Sequence, residues 1–222
     1  MCRPRRPPDV SHGLRLWGDQ TGNCVRVAIA LHEARLPFET RRISLANAEH
    51  QSADFRALNP MGKVPVLEER GACGAPRVTA QTNAILLRIS AIAPGAVVPT
   101  SATAASIVMA RYFFFVTDVI APSHAGFWLA RQGDSAAAEK LQALSRATAE
   151  LAETFAANGT FMAGDTFSLA DIAAFTILTS WGSAFPWQRL PALSEWRDRV
   201  ASRSSVMAGS RVFYQDDTAR TG

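Results

Sequence analysis

Lysine is almost missing from this chain: Lys63 and Lys140 are the only two among 222 residues. The rest of the positive charge sits on arginines spread along the sequence, with one dense run at Arg3, Arg5 and Arg6. A nucleic-acid surface needs its cations gathered on one face or in a binding motif, so the net charge of +4 does not predict one. No nucleic-acid partner is expected. Cysteine is sparse too. Cys2, Cys24 and Cys73 are odd in number and hold no CxxC pair, which argues against a disulfide framework and fits a reducing compartment. The four histidines (His12, His32, His50 and His124) lack ligand spacing, so no metal site is expected. Long apolar runs are also wanting. The best candidate, Ile107 to Ile120, is interrupted by Arg111, Thr117 and Asp118 and falls short of the about 20 apolar residues a membrane span needs. No membrane partner is expected. The opening MCRPRRPPDVSHG has arginines but no apolar core or small-residue cleavage site, so it does not read as a secretory signal. Cytoplasmic residence is the expectation, and the Asn158-Gly159-Thr160 sequon then stays unmodified.

What is present describes a globular protein. Apolar residues make up 48% of the chain and charged residues 19%, ordinary values for a chain with a packed core. After a leader over 1–13, Leu14-Arg-Leu-Trp-Gly18 alternates as a strand. Asp19 to Asn23 is a polar turn, and Cys24 to Leu36 carries apolar residues at helical spacing until Pro37 stops it. Phe38 to Ser44 reads as a second strand, which makes a βαβ unit with parallel strands. A short helix over Ala48 to Leu58, strands at Val64 to Glu68 and Pro76 to Ala80, and a helix over Gln81 to Ala93 follow. The first domain, 14–94, is thus a small mixed sheet carrying helices. A Pro/Ser/Thr/Ala linker over 95–103 leads to a second domain, 104–210, and a tail over 211–222. The second domain shows only helical periodicity, at 102–121, 135–157, 169–182 and 191–206. Alanine is frequent there and allows helices to pack closely, so a bundle is expected.

Four motifs occur along this frame. Thr21-Gly22-Asn23-Cys24 resembles the Ser-Gly-Asn-Cys opening of the first helix in bacterial glutathione transferases. Leu58-Asn-Pro-Met-Gly-Lys-Val-Pro-Val-Leu67 resembles that family's segment ending in a cis-proline, here Val64–Pro65. Gln81-Thr82-Asn83-Ala84-Ile85 resembles its amide-or-acid plus hydroxyl pair before the third helix, and Ser168-Leu-Ala-Asp171 its helical-domain capping motif. Over residues 14–206 the chain resembles the cytosolic glutathione S-transferase family, in its theta/beta-like bacterial branch of the serine/threonine type. The resemblance implies an α/β thioredoxin-like N-terminal domain plus an all-α helical-bundle C-terminal domain. It further implies glutathione as co-substrate, no metal, a homodimer, and conjugation of glutathione to a small, largely apolar electrophile. Two alternatives stay open: a thiol transferase or reductase using Cys24, and a non-catalytic ligand-binding protein on the same fold.

The residues also have readings of their own. Thr21 stands where a hydroxyl can donate to a sulfur at the positive end of the first helix, and Gly22 leaves room for that sulfur. Asn23 and Cys24 are rivals in the same turn. Gln81 and Thr82 open a helix, where a carboxylate binds well; Thr82 as a plain N-cap is the bland alternative. A cis-proline at Pro65 would turn the Val64 backbone outward to pair with an extended peptide. By the resemblance, His50 and Lys63 flank the glycine end of glutathione, where a cation opposes its carboxylate. Of Tyr112 through Phe115, some must be core; Tyr112, Phe115 and Trp128 are the candidates for an electrophile pocket. Ser168 and Asp171 form a capping box with a structural role alone.

Overall fold

A computed structural model of the chain describes residues 13–71 and 75–214. The arginine-rich leader, Cys2, Cys73 and the end of the C-terminal tail lie outside the described residues. The chain divides into two compact units, residues 13–94 with 204–214, and residues 95–203.

The first unit is the small mixed sheet with helices. β1 (Leu14–Gly18) runs parallel to β2 (Phe38–Arg42) and antiparallel to β3 (Val66–Glu69), and β3 pairs antiparallel with β4 (Arg77–Ala80). The strand order is β2-β1-β3-β4. α1 (Gly22–Glu33) provides the parallel crossover, α2 (Ala53–Leu58) follows β2, and α3 (Thr82–Ile92) follows β4. Strand side chains alternate between faces. Leu14, Leu16 and Leu67 are buried along with Val27 and Leu31 of α1 and Ile85, Leu86 and Ile89 of α3, which pack against each other. Trp17 and Val66 belong to a separate cluster with Ile43, Phe55 and Leu58 on the side of α2. Arg88 locks α3 to β3 through a two-pronged bond to Glu69, at 2.8 and 2.7 Å. β3 starts two residues later than the sequence suggests, just after the cis Val64–Pro65 bond.

The second unit is helical. α4 (Ala102–Phe113) continues through a π-helical stretch, Phe114–Ile120, into α5 (Ala121–Arg131). The sequence predicts a helix that ends at 121; the structure adds α5, whose Pro122 falls just after the π-helical stretch. By its sequence this region reads as too interrupted to span a membrane. The 30 residues Ala102–Arg131 are in fact one helical run, long and apolar enough to cross a membrane by length and composition alone. Its neighbours are those of a bundle helix. α5 packs on α6 (Ser135–Glu150), where Ser145 Oγ donates to the Val119 carbonyl at 2.6 Å and Gln142 Nε2 to that of Ser123 at 2.7 Å. The expected single helix over 135–157 breaks at Leu151 into α6 and α7 (Ala152–Ala157). α8 (Leu169–Ser180) packs on α4 and is buried along most of its length.

α8 is started by the capping box, with both halves formed. Asp171 does more than cap. Its carboxylate accepts from the Ser168 amide (3.0 Å) and hydroxyl (3.1 Å), the Met162 amide (2.9 Å) and the Trp196 indole N–H (2.9 Å). Burial pushes this carboxyl above its usual range, and the four donors oppose that shift without cancelling it. The helix reading over 191–206 also divides: α9 (Pro191–Ala201) stays in the helical unit, while α10 (Ser204–Arg211) joins the first unit and packs on α1. Gly209 permits this. A Cβ there would lie 2.6 Å from the backbone nitrogen of Ile29, so no larger residue fits that helix contact.

Candidate functional site

The sheet register decides which residues meet. Trp17 of β1 pairs with Val66 of β3, and Val66 with Ala80 of β4. The C-terminal end of β1, the N-terminal end of β3 and the C-terminal end of β4 therefore share one end of the sheet. Thr21 follows β1 by three residues, Val64 and Pro65 immediately precede β3, and Gln81 and Thr82 immediately follow β4. With strands about 4.8 Å apart, the two outer segments are separated by roughly 10 Å. α1 and α3 both begin at this end, and neither has an acidic residue in its first turn. The positive dipole ends of both helices lie there, which favours an anion.

Thr21 is the N-cap of α1, extended at φ −126° and ψ 152°, with its hydroxyl accepting from the Cys24 amide at 3.3 Å. A hydroxyl has two lone pairs and one proton; this bond uses a lone pair, and the proton is within reach of the Cys24 sulfur. The turn ahead of it is held by Asp19, which the sequence reading passed over as part of a polar turn. Its carboxylate accepts from the Gln20 amide (3.0 Å), the Leu45 amide (2.9 Å) and Arg42 Nε (3.0 Å). Burial would raise this carboxyl, but those bonds and the Arg42 charge outweigh it and hold it below its usual range. Cys24 behaves differently. It is fully buried, 0% exposed, and burial pushes its thiol up to about 11 against hydrogen bonds from the Thr21 side chain and the Asp19 backbone. Asn23 is half-buried in the same turn.

The loop before the cis-proline is built by Asn59, a second residue the sequence reading did not single out. Buried, it donates from Nδ2 to the Lys63 carbonyl at 2.6 Å and accepts from the Met61 amide at 3.2 Å. Gly62 sits at φ +58°, and a Cβ there would lie 3.0 Å from the His50 carbonyl. The 3-10 turn Glu49–Gln51 thus rests on this loop and brings His50 and Lys63 into one neighbourhood. Lys63 is exposed, and His50 Nδ1 is buried with no hydrogen-bond partner among the described residues.

At the head of α3 the cap assignment moves by one. Gln81, not Thr82, is the N-cap, and it stands at φ 80°, ψ 116° without a side-chain capping bond. Glutamine is not a residue that adopts positive φ freely. Backbone of this kind clusters at functional sites. Thr82 is the first helical residue, buried beneath it. The pocket candidates in the helical unit do not come together. Tyr112 and Phe115 are both fully buried, because residues three apart face the same way on a helix. Trp128 is 57% exposed and packs edge-on to Phe127, and of the four consecutive aromatics it is Phe113 that faces outward.

The class of protein is now defined: a thioredoxin-like domain with a hydroxyl, a cis-proline and a helix N-terminus at one sheet end, joined to an all-helical domain. The profile of the glutathione S-transferase N-terminal domain matches residues 22–100 and that of the C-terminal domain residues 103–204. The chain belongs to the glutathione S-transferase family. It is 28% identical over 205 residues to glutathione S-transferase 3 of Zea mays, covering 86% of this chain and 90% of that protein. Two glutathione S-transferases of Arabidopsis thaliana are 39% and 41% identical to it over 57 and 58 residues, a match that spans 26% and 24% of their own length. Among solved structures, a glutathione transferase homolog from Sulfitobacter with bound glutathione superimposes with a TM-score of 0.71 at 29% identity, over 88% of this chain and 96% of that one.

Proposed function

We propose that this protein conjugates glutathione to a small, largely apolar electrophile, as a hydroxyl-type, theta/beta-like member in which Thr21 activates the sulfur. The observation that carries this is the gathering of Thr21, Val64–Pro65 and Gln81–Thr82 at one end of the sheet. An extended tripeptide spans about 10 Å, the separation of the two outer segments. Its γ-glutamyl carboxylate would sit at the N-terminus of α3 on Thr82, with its amine on the Gln81 amide oxygen. Its central residue would pair with the Val64 backbone, which lies outside the β3 ladder. Lys63 and His50 would face its glycine end, and its thiol would fall at Thr21 and the start of α1.

The glutathione thiol ionises near pH ~8.5 when free, so little of it is thiolate at neutral pH. A donated hydrogen bond from Thr21 and the helix dipole both favour the anion. The thiol proton leaves to solvent and the thiolate attacks the electrophile. A carbon–sulfur bond forms, and the leaving group departs with its electron pair. Cys24, buried and with its thiol pushed up to about 11, is a poor nucleophile for the thiol-transferase alternative.

Incubation with glutathione and a general aryl halide electrophile tests the reading: the thioether product should accumulate in proportion to enzyme, and its absence overturns conjugation. Binding is tested separately. Gln81 and Thr82 hold charged ends that are the same before and after reaction, so they supply uniform binding. Thr82→Ala is expected to weaken glutathione binding by about 1–3 kcal/mol through lost hydrogen bonds to charge. Calorimetry that finds unchanged affinity in the Gln81→Ala, Thr82→Val double variant would place the site elsewhere.

The protein would work as a homodimer, the first domain of one chain against the bundle of the other. Support comes from Ala102–Arg131, of whose most apolar window 28% is buried within the chain, with Ile107, Phe113, Phe127 and Trp128 exposed along the run. A stable pairing should bury more than about 1,000 Å². Sedimentation at low micromolar concentration should give twice the 23.9 kDa chain mass; a clean monomer sinks the idea.

A further inference from the structure

We propose that α10, together with Phe213 just beyond it, is a positioning element for the turn that carries Thr21. The inference rests on the reading that this turn activates glutathione sulfur, and its test separates the two.

α10 lies along α1 in an antiparallel register that the contacts spell out. Ser205 Oγ donates to Glu33 Oε2 at 2.5 Å, near the end of α1. Gly209 meets the Ile29 backbone in its middle. Phe213, 4% exposed, reaches its start. There the ring crowds the last residue of β1: a Cβ on Gly18 would lie 2.7 and 2.9 Å from two ring carbons and 3.0 Å from Cys24 Sγ. One residue past Asp19, Gln20 Nε2 donates to the Ser210 carbonyl at 2.8 Å. The C-terminal segment therefore grips the turn at Gly18 and at Gln20, on either side of Asp19. Asp19 ties the same turn to the exit of β2 through Leu45 and Arg42. Thr21 follows directly, its amide bonded to the Asp19 carbonyl at 2.7 Å.

A catalytic hydroxyl tolerates little displacement, since an error of about 1 Å can cost ~10²-fold in rate. The two grips, one from α10 at Ser210 and one from Phe213 beyond it, fix where Thr21 stands. Gln81 and Thr82 are set by β4 and α3 instead. Loosening α10 should therefore lower turnover and raise the pKa of bound glutathione while leaving its binding nearly intact. A segment that served only to cover the core would not produce that split.

Three variants of the full chain carry the test: Phe213→Ala, Phe213→Leu and Gln20→Leu, with Thr21→Val alongside. All are made in a Cys2→Ser, Cys73→Ser background, so that alkylation reports on Cys24 alone. Phe213→Ala should expose Cys24 to iodoacetamide and lower kcat about tenfold, with the kinetic pKa moved upward and KM for glutathione within about twofold. Phe213→Leu should recover most of the loss. Gln20 is exposed, so Gln20→Leu does not threaten folding and should shift kcat and pKa the same way by a smaller factor. It decides the matter if Phe213→Ala does not fold. Unchanged turnover and pKa in the folded variants, with Thr21→Val impaired, overturn the positioning role and leave the Thr21 reading standing. If Thr21→Val is unimpaired while Phe213→Ala or Gln20→Leu still shifts the pKa, the positioning role stands and another group of the turn is the donor.

Discussion

Thr21→Val is expected to lower turnover by about 10²-fold or more, the scale for one well-placed donor to a developing anion. Valine keeps the size and branching of threonine and removes only the hydroxyl. In the proposed role the hydroxyl serves the thiolate more than the thiol, so its loss should appear in kcat rather than in glutathione affinity. The pH profile gives the same information independently. If Thr21 and the α1 dipole hold bound glutathione at a pKa of ~6–7, activity at neutral pH is near its plateau. Removal of the donor should move the profile toward the free value of ~8.5, so the variant regains activity as pH rises. Thr21→Ser should stay active, because the hydroxyl remains and only a methyl is lost. Cys24→Ser should change turnover little, since its thiol is buried and pushed up to about 11. A fully active Thr21→Val with a dead Cys24→Ser would favour the thiol-transferase chemistry. Two active variants and a dead Asn23→Ala would make the amide the donor.

Much of the candidate site's placement in the fold could be read from the sequence because its parts are local. Each candidate sits at the junction of a strand with a helix or loop, and such junctions are marked by short-range signals: Gly18, the Thr21 cap, Pro65, Gly62. Once the strands are in order, their register brings the junctions together. What the sequence did not yield depends on contacts far apart along the chain. Asp19 matters through Leu45 and Arg42, which no pattern around Asp19 predicts. Gln81 holds φ 80° against its own preference. α10 has helical periodicity continuous with that of α9, and nothing local says that it joins the other unit. Its placement follows from Gly209 against Ile29 and Phe213 against Gly18. The π-helical stretch Phe114–Ile120 likewise changes the helix period, so a face computed at 3.6 residues per turn drifts beyond Phe113.

The helical unit has its own decisive residue, and Asp171→Ala is expected to cost it about 3–5 kcal/mol, among the larger effects a single substitution produces. In most helices an N3 carboxylate returns one bond to the cap, and losing the cap costs ~1 kcal/mol. Here the carboxylate is fully buried and is shared by four donors on three segments: Ser168 at the head of α8, Met162 in the loop ahead of it, and Trp196 of α9. Alanine leaves all four facing a cavity, and each buried unsatisfied donor costs roughly 1–3 kcal/mol. The sum is reduced because the mutant no longer has to bury a carboxyl whose ionised form burial disfavours. Asp171→Asn keeps one accepting oxygen but turns an NH2 group toward donors, so it should fall between alanine and wild type. Ser168→Ala should lose only ~1–2 kcal/mol, because Asp171 keeps three of its four donors. Urea unfolding followed by tryptophan fluorescence measures the series, with Trp196 as a reporter inside the network. A loss below about 1 kcal/mol for Asp171→Ala, at unchanged m-value, would mean that water or a shifted side chain satisfies those donors.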